Sequence, residues 1–150
     1  MSSIVGNSKM VQKVFPADLK HLYEMLDFIN NFGLNYQVSH EVMGPVILAA
    51  EEALVNIITY AYPNEDKGTT VDILCEIMTS SSGMKLVIKD HGIPFNPIEK
   101  ISTPLPKENF ADPSVGGYGL YLLIGLMDEI SYERVDGNNI LFLVKNRKSH

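Results

Sequence analysis

The sequence predicts an α+β fold, a two-layer α/β sandwich in which a mostly antiparallel sheet carries helices on one face. Three observations carry that prediction. Segments with two-residue alternation fall in neighbouring pairs joined by short turns, as antiparallel hairpins require. Segments with helical spacing stand apart from those pairs, so the order reads β-α-α-β-β-loop-α-β-β, which favours helices gathered on one side of a sheet. The chain of 150 residues has the length of one domain, 1–150, and needs no disulfide framework to hold a core.

Each element follows from its own pattern. Residues 9–15 alternate loosely and predict a first strand, stopped by Pro16. From Asp18, the apolar positions Leu19, Leu22, Met25, Leu26 and Ile29 share one helical face, and Asn31 and Gly33 are expected to end it. A second helix is expected over residues 39–62, with Gly44-Pro45 either kinking it or marking where its straight part begins, and with Pro63-Asn64 closing it. After a polar turn at 65–68, residues 69–78 place Val71, Ile73, Cys75 and Ile77 on one face of a strand. A turn at 80–83 leads to a returning strand at 85–90 with Leu86 and Ile88 inward. The stretch 91–117 holds five prolines and no surviving period, so it reads as a long loop of the kind that forms lids. A third helix is expected at 117–127. Then 130–135 and 140–145 form a hairpin around Asp136-Gly137, a pair suited to positive φ.

Composition narrows the function classes. The net charge of −6 and pI near 5.1 argue against nucleic acid as the main partner, since phosphate binding needs a surplus of Lys and Arg. The single cysteine, Cys75, excludes an internal disulfide and a multi-cysteine metal site, and its place on a strand suits a small core residue. The four histidines are scattered without metal-ligand spacing. The first residues lack the charged and apolar regions of a signal peptide, and the longest apolar runs fall short of the roughly 18 residues of a membrane span, so a cytoplasmic protein is expected.

Three places could carry chemistry. On the second helix, Glu52 and Asn56 lie about 40° apart at about 100° per residue. Ile47, Ala50, Leu54, Ile57 and Ala61 gather on the opposite side, which should face the sheet. The neighbours of Glu52 are Leu48, Ala49, Ala53, Val55, Thr59 and Tyr60, so the helix looks apolar nearly all round and therefore buried nearly all round. A trapped carboxylate wants a partner such as a metal ion or a reacting hydroxyl. A narrow solvated stripe or a structural hydrogen bond would also fit. The second place is Asp90-His91-Gly92-Ile93-Pro94-Phe95, where an acidic acceptor closes a strand and a glycine follows. Such an acceptor can bind an exocyclic amine while glycine lets a flat ring approach the backbone. A plain Asp-x-Gly turn is the alternative. The third is Gly116-Gly117-Tyr118-Gly119-Leu120 before an amphipathic helix. Free backbone N–H groups and the helix N-terminus there could cradle an anion, although the pattern is neither the dinucleotide motif nor a Walker loop.

Taken in order, these segments resemble the GHKL (Bergerat) ATP-binding superfamily of histidine kinases, gyrase, Hsp90 and MutL. Within it they resemble the anti-sigma factor serine/threonine kinases of the RsbW and SpoIIAB type. The resemblance rests on Glu52-Ala53-Leu54-Val55-Asn56, on Asp90 to Pro97, on Gly116 to Leu122, and on Met127 to Glu133 with Gly137-Asn138. It implies that Asn56 holds Mg²⁺, that Glu52 accepts the proton of an incoming serine hydroxyl, and that Asp90 accepts the adenine amino group with Gly92 giving the ring clearance. It further implies that Gly117 and Gly119 cradle the phosphates of ATP and that residues 98–115 close as a lid. The implied activity is transfer of the γ-phosphoryl of ATP to a serine of a STAS-type anti-anti-sigma protein, switching the sequestration of a sigma factor, in a protein that can form a homodimer and touches neither nucleic acid nor membrane.

Four departures from the family pattern stand out. Pro94 occupies the place of a second glycine. The lid carries Lys100 and Lys107 but no arginine, which favours, as the alternative, a catalytically silent adenine-nucleotide-binding module that sequesters a regulatory partner. Phe142 matches the position of a threonine near the adenine. Gly44-Pro45 interrupts a helix that is usually continuous. A histidine-kinase catalytic domain cut from a longer chain is a third reading, for which no helix bearing a phosphoacceptor histidine precedes the motifs.

Overall fold

The structure is a computed structural model and describes residues 8–62, 72–101 and 125–148. Strand β1 runs Lys9–Pro16, β2 Asp72–Ser80, β3 Gly83–Asp90, β4 Glu129–Val135 and β5 Asn138–Asn146. They form one antiparallel sheet in the order β1-β2-β3-β5-β4. Helix α1 spans Leu22–Asn35, α2 His40–Tyr60 and α3 Pro97–Ile101.

The alternation read from the sequence sets the inner face of the sheet. Ile73, Cys75 and Ile77 of β2 are fully buried, as are Leu86 and Ile88 of β3 and Leu141 and Leu143 of β5. These side chains join Met25 and Ile29 of α1 and Ala50, Leu54 and Ile57 of α2 in one core. Helix α1 packs on β2 and on α2, and α2 lies over β3 and β5. The expected α+β sandwich is therefore the observed architecture, with every strand pairing among the described residues antiparallel. Val71 of the first predicted inner face lies outside the described residues, as does most of the helix expected at 117–127.

The two boundaries of α1 differ from the sequence reading, one for a capping and one for a packing reason, and α2 is continuous where an interruption was expected. Asp18 caps a single 3-10 turn, Leu19–His21, by accepting from Lys20 N–H at 3.0 Å, and α1 proper begins after it. Gly33 does not end α1. The helix continues to Asn35, and Gly33 lies where α2 crosses: a Cβ there would sit 2.6 Å from Met43 Sδ. Helix α2 runs unbroken through Pro45, which deletes only its own N–H bond to the Glu41 carbonyl. The Asp136-Gly137 turn has φ of 50° and 81°, the paired positive values of a type I′ hairpin.

Helix α2 is also long and apolar enough, by length and composition, to cross a membrane, which the sequence reading did not find. Half of its apolar window is buried inside the protein, as in a core helix. The apolar run is divided by Glu51 and Glu52, and only the formed helix joins its two parts.

Candidate functional site around Asp90

Strand β3 delivers Asp90 to the helix-covered face. Met84, Leu86, Ile88 and Asp90 share one parity, and all are buried, Asp90 to 1% exposure. Asp90 Oδ1 accepts from Gly92 N–H at 2.8 Å and from Asn139 Nδ2 at 2.9 Å. Asp90 Oδ2 is buried and has no hydrogen-bond partner among the described residues. Burial pushes the Asp90 carboxyl above its ordinary pKa, while the two donors and the charges of Arg134 and His91 pull the other way.

Asn139 was not foreseen. It stands directly across from Asp90 in the β3–β5 register and is buried to 3% exposure. Its Nδ2 donates to Asp90 Oδ1 and to the Ile93 carbonyl at 2.8 Å. Its Oδ1 accepts from Phe95 N–H at 3.2 Å and from the Tyr132 hydroxyl. Arg134, one strand further out, donates to the Gly92 carbonyl at 2.8 Å. The legible signal was parity: Asn139 shares a face with Leu141 and Leu143, and a polar residue on an apolar face needs partners. Phe142, matched from sequence to a position near the base, lies on the opposite face of β5, with the Lys85 ammonium 5.0 Å from its ring centroid. Strand alternation forbids it from sharing a face with Asp90, and the position beside that carboxylate belongs to Asn139.

The 91–95 turn is anchored to the end of α2. Ile93 N–H donates to the Ala61 carbonyl at 2.9 Å, His91 N–H to the Tyr62 hydroxyl at 3.0 Å, and the rings of Tyr60 and Phe95 lie 5.6 Å apart. A Cβ on Gly92 would come within 2.4 Å of the Ala61 carbonyl oxygen. Glycine is therefore required here by the approach of the turn to α2, a reason independent of any bound ring.

Glu52 and Asn56 occupy successive turns of α2. Asn56 is buried and its Nδ2 donates to the Glu52 carbonyl at 2.7 Å, which leaves Oδ1 as the end available to an outside ligand. Glu52 is half-buried, and burial, then the neighbouring Glu51 charge, raises its carboxyl pKa. Its surroundings are more open than the sequence suggested. Ala49 and Ala53 are buried, but Leu48 is 57% and Tyr60 46% exposed, and Thr59 is exposed as well. In a two-layer fold the sheet and α1 cover one side of α2, and among the described residues the Leu48–Thr59 flank stays open.

Gly117 and Gly119 lie outside the described residues, as does the expected lid from 102 to 115. The part of the lid that is described forms α3. Asn96 Oδ1 accepts from Ile98 N–H at 2.9 Å, and Pro97 fills the first helical position, a cap pattern present in the sequence. A separate groove of about 500 Å³ runs between β1 and α1, lined by residues that include Lys13, Glu24, Asp27 and Phe32, and it shares none of the residues around Asp90.

A family model described as a histidine kinase-like ATPase domain (HATPase_c_2) matches residues 15–145. The serine/threonine-protein kinase BtrW of Bordetella bronchiseptica is 29% identical over 123 residues, which cover 82% of this chain and 84% of BtrW. The serine-protein kinase RsbW of Staphylococcus aureus is 31% identical over 96 residues, 62% of this chain, and the match spans 59% of RsbW. The crystal structure of the RsbU and RsbW domains of Rv1364c from Mycobacterium tuberculosis is similar with a TM-score of 0.58, covering 94% of this chain and 34% of that one. At 9% identity that likeness concerns the fold alone.

Proposed function

The chain belongs to the histidine kinase-like ATPase domain family, and from that premise we propose that it is a single ATP-binding domain that works as an RsbW-type anti-sigma factor kinase. The family implies ATP binding, and the relatives BtrW and RsbW are serine/threonine- and serine-protein kinases. In this reading the protein transfers the γ-phosphoryl of ATP to a serine of a STAS-type anti-anti-sigma partner and thereby switches its hold on a sigma factor, in the cytoplasm.

The observation that carries the reading is Asp90 Oδ2. A buried acceptor left unpaired costs about 1–3 kcal/mol, and more when charged. The amino group of adenine is a donor of the right kind to remove that cost. The carboxylate is held from behind by two donors on its other oxygen, so it is already oriented when the base arrives. Gly92 keeps the turn close to α2, Asn56 Oδ1 is the ligand offered to Mg²⁺, and Gly117 and Gly119 are assigned to the phosphates. One side-chain oxygen suffices there, because magnesium in phosphate sites keeps several waters and takes few protein ligands. When bound, the ion neutralises phosphate charge.

In the transfer, the serine Oγ forms a bond to the γ-phosphorus as the bond from that phosphorus to the bridging oxygen of ADP breaks. Glu52 takes the hydroxyl proton. The raised pKa of its carboxyl makes it a better proton acceptor than an ordinary glutamate. Positioning supplies most of the remaining work in phosphoryl transfer. The test is to incubate the protein with Mg-ATP and a STAS-type partner and to look for phosphoserine by mass spectrometry. Nucleotide binding with no phosphoserine would remove the kinase activity and leave a module that sequesters its partner.

A further inference from the structure

The amide of Asn139 spends all of its main hydrogen-bonding capacity in one place. Two donors go to Asp90 Oδ1 and the Ile93 carbonyl, and two acceptor sites are filled by Phe95 N–H and the Tyr132 hydroxyl. An amide held at four points cannot rotate, so it presents a fixed N–H to Asp90 Oδ1. With Gly92 N–H on the same oxygen, Oδ1 is saturated, and among the described residues Oδ2 is the bare one. Any proton the carboxyl acquires must therefore go to Oδ2, where it would replace an acceptor by a donor.

We propose that Asn139 is a positioning residue for base selection: by saturating Asp90 Oδ1 it dedicates Oδ2, as an acceptor, to the amino group of a 6-amino purine and against a 6-oxo purine. The inference rests on the nucleotide reading above and goes beyond it in naming the residue that sets the choice. A 6-oxo base brings an acceptor to the same spot and is repelled while Oδ2 is bare. Once Oδ2 carries a proton, the repulsion disappears and the preference collapses. The groups that bear on that proton are Arg134 on β4 and His91 beside Asp90, whose charges favour the ionised form. Tyr132 on β4 reaches Asp90 through Asn139, and Glu99 on α3 acts on Tyr132.

The experiment measures binding of Mg-ADP and Mg-IDP to the full chain by calorimetry, from acid to neutral pH, for wild type, Asn139→Asp, Asn139→Ala and Tyr132→Phe. Wild type prefers ADP and loses that preference on acidification. Asn139→Asp keeps the shape but turns the donor facing Asp90 into an acceptor, so the two carboxyls share a proton. The ADP preference then falls by roughly tenfold or more at neutral pH, and the acid loss moves to higher pH. Asn139→Ala moves both readouts the same way. Tyr132→Phe, which removes one tether of the amide with little change of shape, moves them the same way by less and covers the case in which the substitutions at Asn139 fail to fold. An equal weakening of ADP and IDP with an unmoved pH profile, or a wild-type preference in the variants, would overturn the proposal and leave Asn139 a structural residue. A wild type that selects ADP beside such variants fails this inference alone. A wild type that binds neither nucleotide fails the functional reading itself.

Discussion

Among the described residues, Asp90 is held by two donors on one oxygen and by none on the other, so a charge is buried whose loss of water is only partly compensated. Its raised pKa expresses that imbalance. The folded state binds the proton more tightly than the unfolded chain, whose aspartate titrates near 3.8, so this group's contribution to stability grows as pH falls through the raised value. It is complete only below the unfolded pKa and is lost as pH rises through the folded one. Nucleotide affinity should run the opposite way, falling over the same window as Oδ2 takes a proton. Asp90→Asn separates the two effects. The variant should melt higher than wild type at neutral pH, because burial is the largest influence on this carboxyl and the amide carries no charge. It should bind Mg-ADP about tenfold to a hundredfold more weakly, because an amide nitrogen can stand where the bare acceptor stood. A thermal melt and a binding titration on the same sample check both, and unchanged ADP affinity would count against Asp90 as the base acceptor.

At the scale of elements, the candidate site is a joint between α2 and the turn after β3, and both sides can be broken separately. Gly92→Ala pushes a Cβ against the Ala61 carbonyl, a backbone atom that cannot swing aside, so the turn must leave the helix. The expected cost is about 1–3 kcal/mol of stability in urea melts, with nucleotide affinity lost as well. On α2 itself, Glu52→Gln should leave ADP binding unchanged and slow phosphoryl transfer by about 10²–10⁴-fold, the usual contribution of a general base. Transfer at the wild-type rate would show that the proton goes elsewhere. Asn56→Ala should remove the dependence of nucleotide binding on Mg²⁺, which parallel titrations with and without the ion would reveal. These elements were unequally legible. The strands, and the inward faces of β2 and β3, could be read because one buried face imposes a period of two, which a short segment displays in full. The burial of Asn56 and Asp90 was legible because polar residues interrupt apolar patterns there, whereas the flank around Glu52 is more open than its apolar neighbours suggested. Gly33 misled because a glycine inside a helix and one beyond its end look alike until the crossing helix is known. Asn139 was hidden because an asparagine two residues after Asp136-Gly137 reads as part of the turn. A strand begun at Ile140 leaves Asn139 out of the inner parity of Leu141 and Leu143 to which it belongs. The five-residue α3 is too short to display a helical period among prolines, although Asn96-Pro97 marked its start.

For the whole molecule, the parts of the site come from distant stretches of chain that only the finished sheet brings together. Asp90 ends a central strand, Asn139 begins its neighbour, and Ala61 ends the helix above them. The contact from Asn139 that orients the Asp90 carboxylate therefore exists only in the folded state, while the contact from Gly92 is local to the turn. A ligand that completes the site must then stabilise the whole fold, because unfolding releases it. At about 100 times its dissociation constant, such a ligand contributes roughly 2.7 kcal/mol. For a domain of this length that corresponds to a rise in melting temperature of roughly 5–10 °C. We expect Mg-ADP to produce that rise in a thermal-unfolding scan. Mg-GDP should not, since its 6-oxo group meets Asp90 Oδ2 acceptor to acceptor. The same scan on Asp90→Asn should start from a higher temperature and shift little with Mg-ADP, which distinguishes binding at this carboxylate from a general effect of nucleotide or magnesium. Equal rises with ADP and GDP would place the binding energy in the phosphates alone and leave Asp90 without a part in choosing the base. No rise with either, at saturating concentration, would mean that the joint between α2 and the sheet is closed for structural reasons only.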